Sequence, residues 1–219
     1  FDYITEFICK NTIIQYLSKN GAVEISDLVE EYYDDIDELE RKVSQTKILD
    51  PACGSGAFLI QAAELLLDIN LEIQNLKPHE EKQSKLDKWS YEEKISKIIV
   101  NNIFGVDINE ESTAITKLSL FLTMTVPNKK LADLSTNIRV GNSLIEDKIV
   151  DERAFDWNKE FFDVLKGKKF DIVIGNPPYF NIKSHDVLKN SPDFKKLSNG
   201  VVNAASLFLK KGIDLSAEN

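Results

Sequence analysis

Residues 47–68 read KILDPACGSGAFLIQAAELLLD, and this stretch decides the fold of the chain. Residues 47–50 are typical of a short buried strand, and residues 57–68 carry apolar side chains at helical spacing. Between them, Gly54 and Gly56 permit a tight turn in which a ligand can approach the backbone closely. The N-terminus of the helix that follows favours a negative group such as a carboxylate. The stretch therefore predicts a strand, a glycine turn and a helix that together can bind a ligand.

Strand and helix alternate along the rest of the chain. We predict strands at residues 103–107, 137–140 and 171–175, and helices at 110–125 and 203–216. This alternation indicates an α/β fold, in which a parallel sheet has helices on both faces. Ligands of such open sheets bind beyond the carboxyl ends of the strands, close to a topological switch point.

The four predicted strands all end in polar or glycine-rich residues, which predicts one composite site. The fourth end is the most unusual, because its two prolines fix φ near −65° and remove two backbone donors, so the loop is stiff and extended. Taken singly, each end has a structural alternative: an ordinary turn, or, at the second end, a helix N-cap role for Asp107 or Asn109. The ends are Gly54-Ser55-Gly56, Asp107, Asn142-Ser143 and Asn176-Pro177-Pro178-Tyr179.

Two helices are expected before the sheet. The first covers residues 7–19. The second begins at Ser26, a residue type favoured at the N-cap, and has an apolar stripe along one side. The stripe consists of Ile25, Leu28, Tyr32, Leu39 and Val43.

Composition and charge argue against a membrane protein, a secreted protein and a metal site. The chain has a net charge of −9, and the acidic residues are concentrated in residues 1–45, whereas residues 164–219 are basic and could face phosphates. No apolar run approaches the roughly 18 residues of a membrane helix, and no secretory signal is present, so we expect a cytoplasmic protein. Cys9 and Cys53 lack metal-ligand spacing, and we predict no metal site.

Four motifs in this order carry a family resemblance. DPACGSGAFL (50–59), GVDIN (105–109), GNSL (141–144) and NPPY (176–179) are similar to motifs I to IV of amino-methyltransferases that use S-adenosylmethionine. Over about residues 46–216 the chain resembles the adenine-N6-specific DNA methyltransferases of bacterial or archaeal restriction–modification systems. Tyr179, where type I subunits more often have Phe, favours a type II or IIG-like enzyme.

The resemblance implies a fold and a division into domains. We expect a Rossmann-like S-adenosylmethionine-dependent methyltransferase fold, truncated after the fourth strand. Residues 1–45 would be an N-terminal helical segment, and residues 46–219 a partial methyltransferase domain with a charged insertion at about 69–100. The chain begins at Phe1 and stops just after a helical pattern, so we expect it to be a piece of a longer polypeptide.

The resemblance also implies the residues of a cofactor site. Asp107 would bind the ribose hydroxyls, Ile108 would lie along the adenine ring, and Asn142 would be near its exocyclic amine. The residues before and within the glycine turn would surround the methionine part of the cofactor. The cofactor-binding residues implied are Thr5, Asp50, Ala52, Cys53, Gly54, Gly56, Asp107, Ile108, Asn142 and Ser143.

The catalytic residues we predict are those of the NPPY loop, Asn176, Pro177, Pro178 and Tyr179. The Asn176 side-chain oxygen and the Pro177 carbonyl can each accept one N–H of an adenine amine, which directs the nitrogen lone pair at the methyl group. Tyr179 offers a ring on which a flipped base can stack, worth about 1–3 kcal/mol.

Other functions are compatible with the same motifs. The alternatives are methylation of a release-factor glutamine or an rRNA guanine, and a non-catalytic cofactor-binding subunit. The expected partner is double-stranded DNA with a flipped adenine. A target-recognition region is expected C-terminal to this chain or on a partner subunit, and a nuclease domain could precede Phe1.

Overall fold

The computed structural model describes residues 2–77, 88–123, 133–166, 168–183, 186–191, 194 and 203–217. The strands are β1 (Ile48–Asp50), β2 (Ile103–Asp107), β3 (Ile138–Val140) and β4 (Ile172–Val173). The helices are α1 (Asp2–Leu17), α2 (Ile25–Glu31), α3 (Ile36–Gln45), α4 (Ala57–Leu76), α5 (Lys88–Asn102), α6 (Glu110–Thr123), α7 (Trp157–Glu160), α8 (Phe162–Leu165) and α9 (Ala204–Leu215), with a 3-10 turn at Val187–Asn190.

The four strands form one parallel sheet in the order β3-β2-β1-β4. The chain moves outward from β1 to β3 and then returns to the other side of β1, so the order reverses between β1 and β4. Ligands of open α/β sheets bind at such a reversal, beyond the carboxyl ends of the strands. The predicted parallel α/β fold is confirmed, and all four predicted strand positions carry a strand.

Both faces of the sheet are covered, as the alternation of its side chains requires. Ile48 and Ile103 point into a core shared with α1 to α5, whereas Leu49 and Phe104 point to the opposite face. The second face is closed by aromatic side chains from residues 155–170, among them Phe161, which packs edge-on against the ring of Phe104. The sheet is thus the middle of three layers.

The N-terminal region differs from the prediction at its second helix. Two helices, α2 and α3, stand where one was expected, because the Asp35 side chain caps a new helix by accepting from Glu38 N at 3.1 Å. Glu24 rather than Ser26 is the N-cap of α2, and Glu24 and Asp27 form a capping box. The expected apolar stripe nevertheless packs inward, since Leu28, Tyr32, Leu39 and Val43 are buried.

Helix α4 extends to Leu76, beyond its predicted end at residue 68. Its apolar spacing continues through Ile69 and Ile73, both of which are buried in the main core. Ile98 and Ile99 of α5 join the same core. Residues 78–87, in the middle of the predicted charged insertion, lie outside the described residues.

β4 forms ladder pairs with β1 over two residues only, although residues 171–175 were predicted as strand. Ile174 N still donates to Leu49 O at 2.9 Å, so the backbone stays beside β1 until the NPPY loop begins. On the other edge of β4, Phe170 pairs in parallel with Ser216, just after α9. Helix α9 is capped by the Asn203 side chain, which accepts from Ala205 N.

Candidate functional site

The glycine turn after β1 is shaped by the glycine at its end. Gly56 is the N-cap of α4 and has φ of 88°, in the left-handed region that disfavours other residues. A Cβ atom at this position would also lie 2.7 Å from Thr116 Cγ2 of helix α6. Both the conformation and the close packing therefore require glycine.

Two side chains outside the turn hold its backbone in place. Asp107, at the end of β2, accepts a hydrogen bond from Gly54 N at 2.8 Å through Oδ2 and one from Asn109 N at 2.9 Å through Oδ1. Thr116 Oγ1 donates to Gly54 O at 2.8 Å. The predicted ribose-binding carboxylate is thus also an anchor for the glycine turn.

Asp50, the last residue of β1, is almost completely buried, with 2% of its surface exposed. Burial raises the pKa of its carboxyl to about 7, the Ala52 N–H hydrogen bond lowers it, and the nearby Asp107 charge adds to the increase. The Ala52 N–H donates to Asp50 Oδ1 at 3.0 Å. At neutral pH the folded chain therefore carries a carboxyl poised between its two protonation states, next to the cofactor site we predict.

The folded-state pKa of Asp50 lies above the usual 3.8 of an unfolded chain, so folding favours the protonated carboxyl. Stability should fall as pH rises from about 4 to 7, and Asp50→Asn should relieve this loss by up to about 4 kcal/mol, about 1.4 per pKa unit. We expect Asp50→Asn to raise the unfolding free energy at pH 8 but not at pH 4. Urea denaturation at both pH values measures the unfolding free energy, and Asp147→Asn, at an exposed position, is the control. An equal change in the unfolding free energy of Asp50→Asn at pH 4 and pH 8 would contradict the prediction.

Gly175 gives the Asp50 carboxyl its space. A Cβ atom on Gly175 would overlap Asp50 Oδ1 and lie 2.8 Å from its Cγ. We expect Gly175→Ala to destabilise the fold by about 1–3 kcal/mol, as overpacked cores do. In the same denaturation assay, Gly212→Ala serves as control, because its Cβ would meet only Val173 Cγ1 at 3.4 Å within a helix. Equal stability of the two variants would show that the carboxyl can move aside.

The loop after β3 carries two predicted residues, and one of them, Ser143, contacts the first motif. Ser143 Oγ donates to Pro51 O at 2.6 Å, and its own carbonyl accepts from Trp157 Nε1 at 3.0 Å. The Asn142 amide donates through Nδ2 to Asp151 Oδ2 at 2.8 Å. Ser143 therefore ties the ends of β1 and β3 together.

The NPPY loop separates two neighbouring cavities. Asn176, Pro178 and Phe180 line a cavity of about 560 Å³, whereas Pro177 and Tyr179 line one of about 440 Å³ toward α9. The alternation is that of an extended chain, whose successive side chains point to opposite sides. The Asn176 carboxamide has no hydrogen-bond partner among the described residues, and the Tyr179 ring is 73% exposed.

The larger of these two cavities brings the predicted residues of three strand ends together with the NPPY loop. Asp107 and Ile108 follow β2, Asn142 and Ser143 follow β3, and all four line the same cavity as Asn176. Ala52 lines both cavities, and Asp50 lines the smaller one. Four separate sequence motifs thus meet at one edge of the sheet.

The other predicted cofactor residues lie beneath the cavities rather than on their walls. Cys53 is buried, with its thiol pKa raised by burial and by the charges of Asp50 and Asp107. Thr5 is buried in α1, one turn before Cys9, whose thiol is influenced by the Asp50 charge. The N-terminal helix therefore approaches the first motif, although Thr5 does not line either cavity.

Sequence reasoning missed three residues at this site. Phe208 of α9 lines both cavities, Thr116 of α6 holds the glycine turn, and Asp151 binds Asn142. Phe208 lies in the helix predicted at 203–216, to which no role was assigned. Thr116 and Asp151 follow no motif, because only the folded chain brings them to the strand ends.

Two further findings concern the described residues alone. None of their helices combines the length and apolarity needed to cross a membrane. Within the same residues, no group of three or more His, Cys, Asp or Glu side chains is arranged to hold a metal ion.

Two family models match the chain. The model described as Eco57I restriction-modification methylase matches residues 101–219, more than half of the chain. A second, described as RMKL-like methyltransferase domain, matches residues 39–125. Together they include all four motif positions.

Individual proteins are similar over much of the chain. The type II restriction enzyme and methyltransferase RM.Eco57I of Escherichia coli is 31% identical over 193 residues, covering 81% of this chain and 17% of the relative. The adenine-specific methyltransferase PglX of Streptomyces coelicolor is 27% identical over 165 residues, covering 64% of this chain and 12% of the relative. The chain thus spans less than a fifth of either relative.

A solved structure has the same fold. The type IIL restriction-modification enzyme MmeI in complex with DNA superposes with a TM-score of 0.56 at 20% sequence identity. The match covers 97% of this chain and 27% of that one. The likeness supports a Rossmann-like methyltransferase fold.

Proposed function

The chain belongs to the Eco57I restriction-modification methylase family, and from this premise we propose that it transfers a methyl group from S-adenosylmethionine to the N6 amine of adenine in DNA. The observation that carries the proposal is the single cavity lined by Asp107, Ile108, Asn142 and Asn176. The residues proposed to bind the cofactor and the residue proposed to bind the adenine amine therefore line one cavity.

The cavity fits a cofactor of this kind. Its volume of about 560 Å³ is within the usual range of about 300–1,000 Å³ for small-molecule sites. Ile108 is 42% exposed and, with Phe208, offers apolar surface for a flat purine. When bound, S-adenosylmethionine supplies an electrophilic methyl group on a sulfonium.

The residues of the chain would hold the cofactor by complementary groups. Each Asp107 oxygen already accepts one backbone hydrogen bond and retains capacity for a ribose hydroxyl. The glycine turn leaves space for the methionine part, since no atom lies within 4 Å of where a Gly54 Cβ would be. When its carboxyl is ionised, Asp50 would attract a positively charged group of the cofactor.

Asn176 would act on the amine. Its side-chain oxygen and the Pro177 carbonyl are acceptors on a stiff loop, and the two N–H bonds of an adenine amine can satisfy both. This interaction strengthens as positive charge develops on the nitrogen, so it lowers the barrier rather than merely binding the base. The amine proton would leave after transfer, toward an acceptor or solvent.

The DNA partner is part of the proposal. A base inside a duplex must be flipped out before its amine can reach Asn176, at a cost of a few kcal/mol. Tyr179, exposed three residues after Asn176 on the same loop, would stack on the flipped base. Target recognition would come from a region C-terminal to this chain or from a partner subunit.

The direct test measures transfer of a tritiated methyl group by the complete enzyme onto DNA, RNA and protein. We expect label in DNA alone, and nuclease digestion should identify N6-methyladenine. Label in RNA guanine or in a release-factor glutamine would instead support the alternative methyltransferases. Binding of S-adenosylhomocysteine without any transfer would support a non-catalytic subunit.

A further inference from the structure

Asn142 is held by hydrogen bonds to residues 151–153, a segment that follows its own loop. Its backbone N–H donates to Arg153 O at 2.6 Å, and the two segments pair in parallel at Asn142 and Ala154. Its side chain donates through Nδ2 to Asp151 Oδ2 at 2.8 Å, and its Oδ1 accepts from Leu144 N at 3.1 Å. Asn142 is 5% exposed and Asp151 9% exposed, so water competes little for these bonds.

The two neighbours of the amide determine which way it faces. An ionised carboxylate can only accept, so the atom next to Asp151 must be the amide nitrogen. A backbone N–H can only donate, so the atom next to Leu144 N must be the amide oxygen. A flipped amide would oppose acceptor to acceptor on one side and donor to donor on the other.

Asp151 is suited to this role because it remains ionised. Burial alone would raise the pKa of its carboxyl, but the hydrogen bonds from Asn142 and from Arg153 N, together with the Arg153 charge, hold it below the usual value. Arg153 N donates to Asp151 Oδ1 at 2.9 Å, so the carboxylate is itself fixed in position.

We propose that Asp151 is a positioning residue that sets the purine specificity of the cofactor site by locking the Asn142 amide in one orientation. The inference rests on the proposed use of S-adenosylmethionine. Asn142 Oδ1 retains one lone pair after its bond to Leu144 N, and this lone pair accepts the exocyclic N–H of an adenine. A 6-oxo purine presents an acceptor at the same place, which the locked oxygen repels.

Without the lock, the site would lose this discrimination. An amide that can turn over offers Nδ2 to a 6-oxo group as readily as Oδ1 to a 6-amino group. Asp151→Asn creates this situation at almost constant shape, because Arg153 N and Leu144 N then compete for one correct orientation. If the new amide oxygen accepts from Arg153 N, its nitrogen faces Asn142, whose amide must turn over and oppose Leu144 N. If the new amide turns instead, Asn142 keeps its orientation but Arg153 N loses its acceptor, so the two arrangements are similar in cost. Asp151 thus acts through Asn142 and need not touch the cofactor.

The test is calorimetric binding of S-adenosylhomocysteine and its 6-oxo counterpart, S-inosylhomocysteine, to the complete enzyme. We expect the unchanged enzyme to prefer the adenine compound by at least about tenfold, the worth of one hydrogen bond. Asp151→Asn should bring the ratio of the two affinities close to one. Asp147→Asn, the same change on an exposed part of the loop, should leave the ratio unchanged.

A second variant keeps the test sharp if Asp151→Asn weakens binding in general. In the double variant Asn142→Asp with Asp151→Asn, residue 142 can only accept, while residue 151 donates to it. The preference for adenine should return, which a purely structural role of Asp151 would not produce. Failure of the double variant to restore the ratio lost in Asp151→Asn would overturn the lock.

The outcomes separate the inference from the function on which it rests. If the unchanged enzyme binds S-adenosylhomocysteine but Asp151→Asn weakens both compounds equally, the lock is wrong and the cofactor assignment stands. If it binds neither compound, the proposed cofactor is wrong and the inference falls with it.

Discussion

Replacing Asn176 by Ala should reduce the rate of methyl transfer by roughly 10²–10³-fold, the usual cost of removing one polar group that stabilises a transition state. The side chain lines the cavity shared with the proposed cofactor residues, and no described residue engages its carboxamide. Its oxygen is therefore available to the amine that becomes positively charged. Because Asn176 is proposed to contact the amine rather than the cofactor, the affinity for S-adenosylhomocysteine should change little.

Single-turnover transfer to DNA and calorimetric binding of S-adenosylhomocysteine measure the two effects separately. Asn158→Ala, the same substitution at an exposed position of α7, is a matched control for the protein preparation. Transfer at a normal rate by Asn176→Ala would refute the proposed mechanism. A parallel loss of cofactor binding would show that Asn176 supports the cofactor site instead.

Replacing Asp107 by Ala should weaken cofactor binding by at least about 10²-fold, since two hydrogen bonds to a charged group contribute about 1.5–3 kcal/mol each. The variant should have a second effect, because Asp107 also holds the backbone of the glycine turn through Gly54 N. That N–H would lose its partner, and some stability should be lost as well. Asp107 is thus predicted to serve both the ligand and the scaffold.

Asp107→Asn separates these two contributions. The amide keeps one oxygen that can accept from Gly54 N, but its nitrogen then faces Asn109 N, so one backbone hydrogen bond and one acceptor for the ribose are lost. We expect an intermediate affinity for S-adenosylhomocysteine by calorimetry, and in urea denaturation a loss of stability smaller than that of Asp107→Ala. Unchanged affinity in Asp107→Ala would rule out the ribose assignment.

The parts of the site that could be predicted from the sequence are those encoded by neighbouring residues. The glycine turn at 54–56 and the proline loop at 176–179 combine rare backbone requirements with a preceding apolar run, so strand and turn are recognised together. The parallel sheet then follows from the repetition of that unit. It places every strand end at one edge, and for this reason four separated motifs could be expected to meet.

The parts that could not be predicted depend on contacts between distant segments. Thr116 and Asp151 have no local signature, since their partners Gly54 and Asn142 lie 62 and 9 residues away. The division of the second helix into α2 and α3 depends on a single cap at Asp35, which competes with continued helix by a small free-energy difference. Local patterns identify strand ends well, but they do not identify what holds those ends in place.

The alternation of the NPPY loop between two cavities makes its length as important as its composition. Inserting or deleting one residue between Asn176 and Tyr179 would turn every later side chain of the loop to the opposite side. Tyr179 would then face the larger of the two cavities, which Pro178 lines now. Adding two residues would restore the facing but carry the ring farther from Asn176. Related sequences should therefore keep the number of residues in this loop constant, even where single residues of the loop differ.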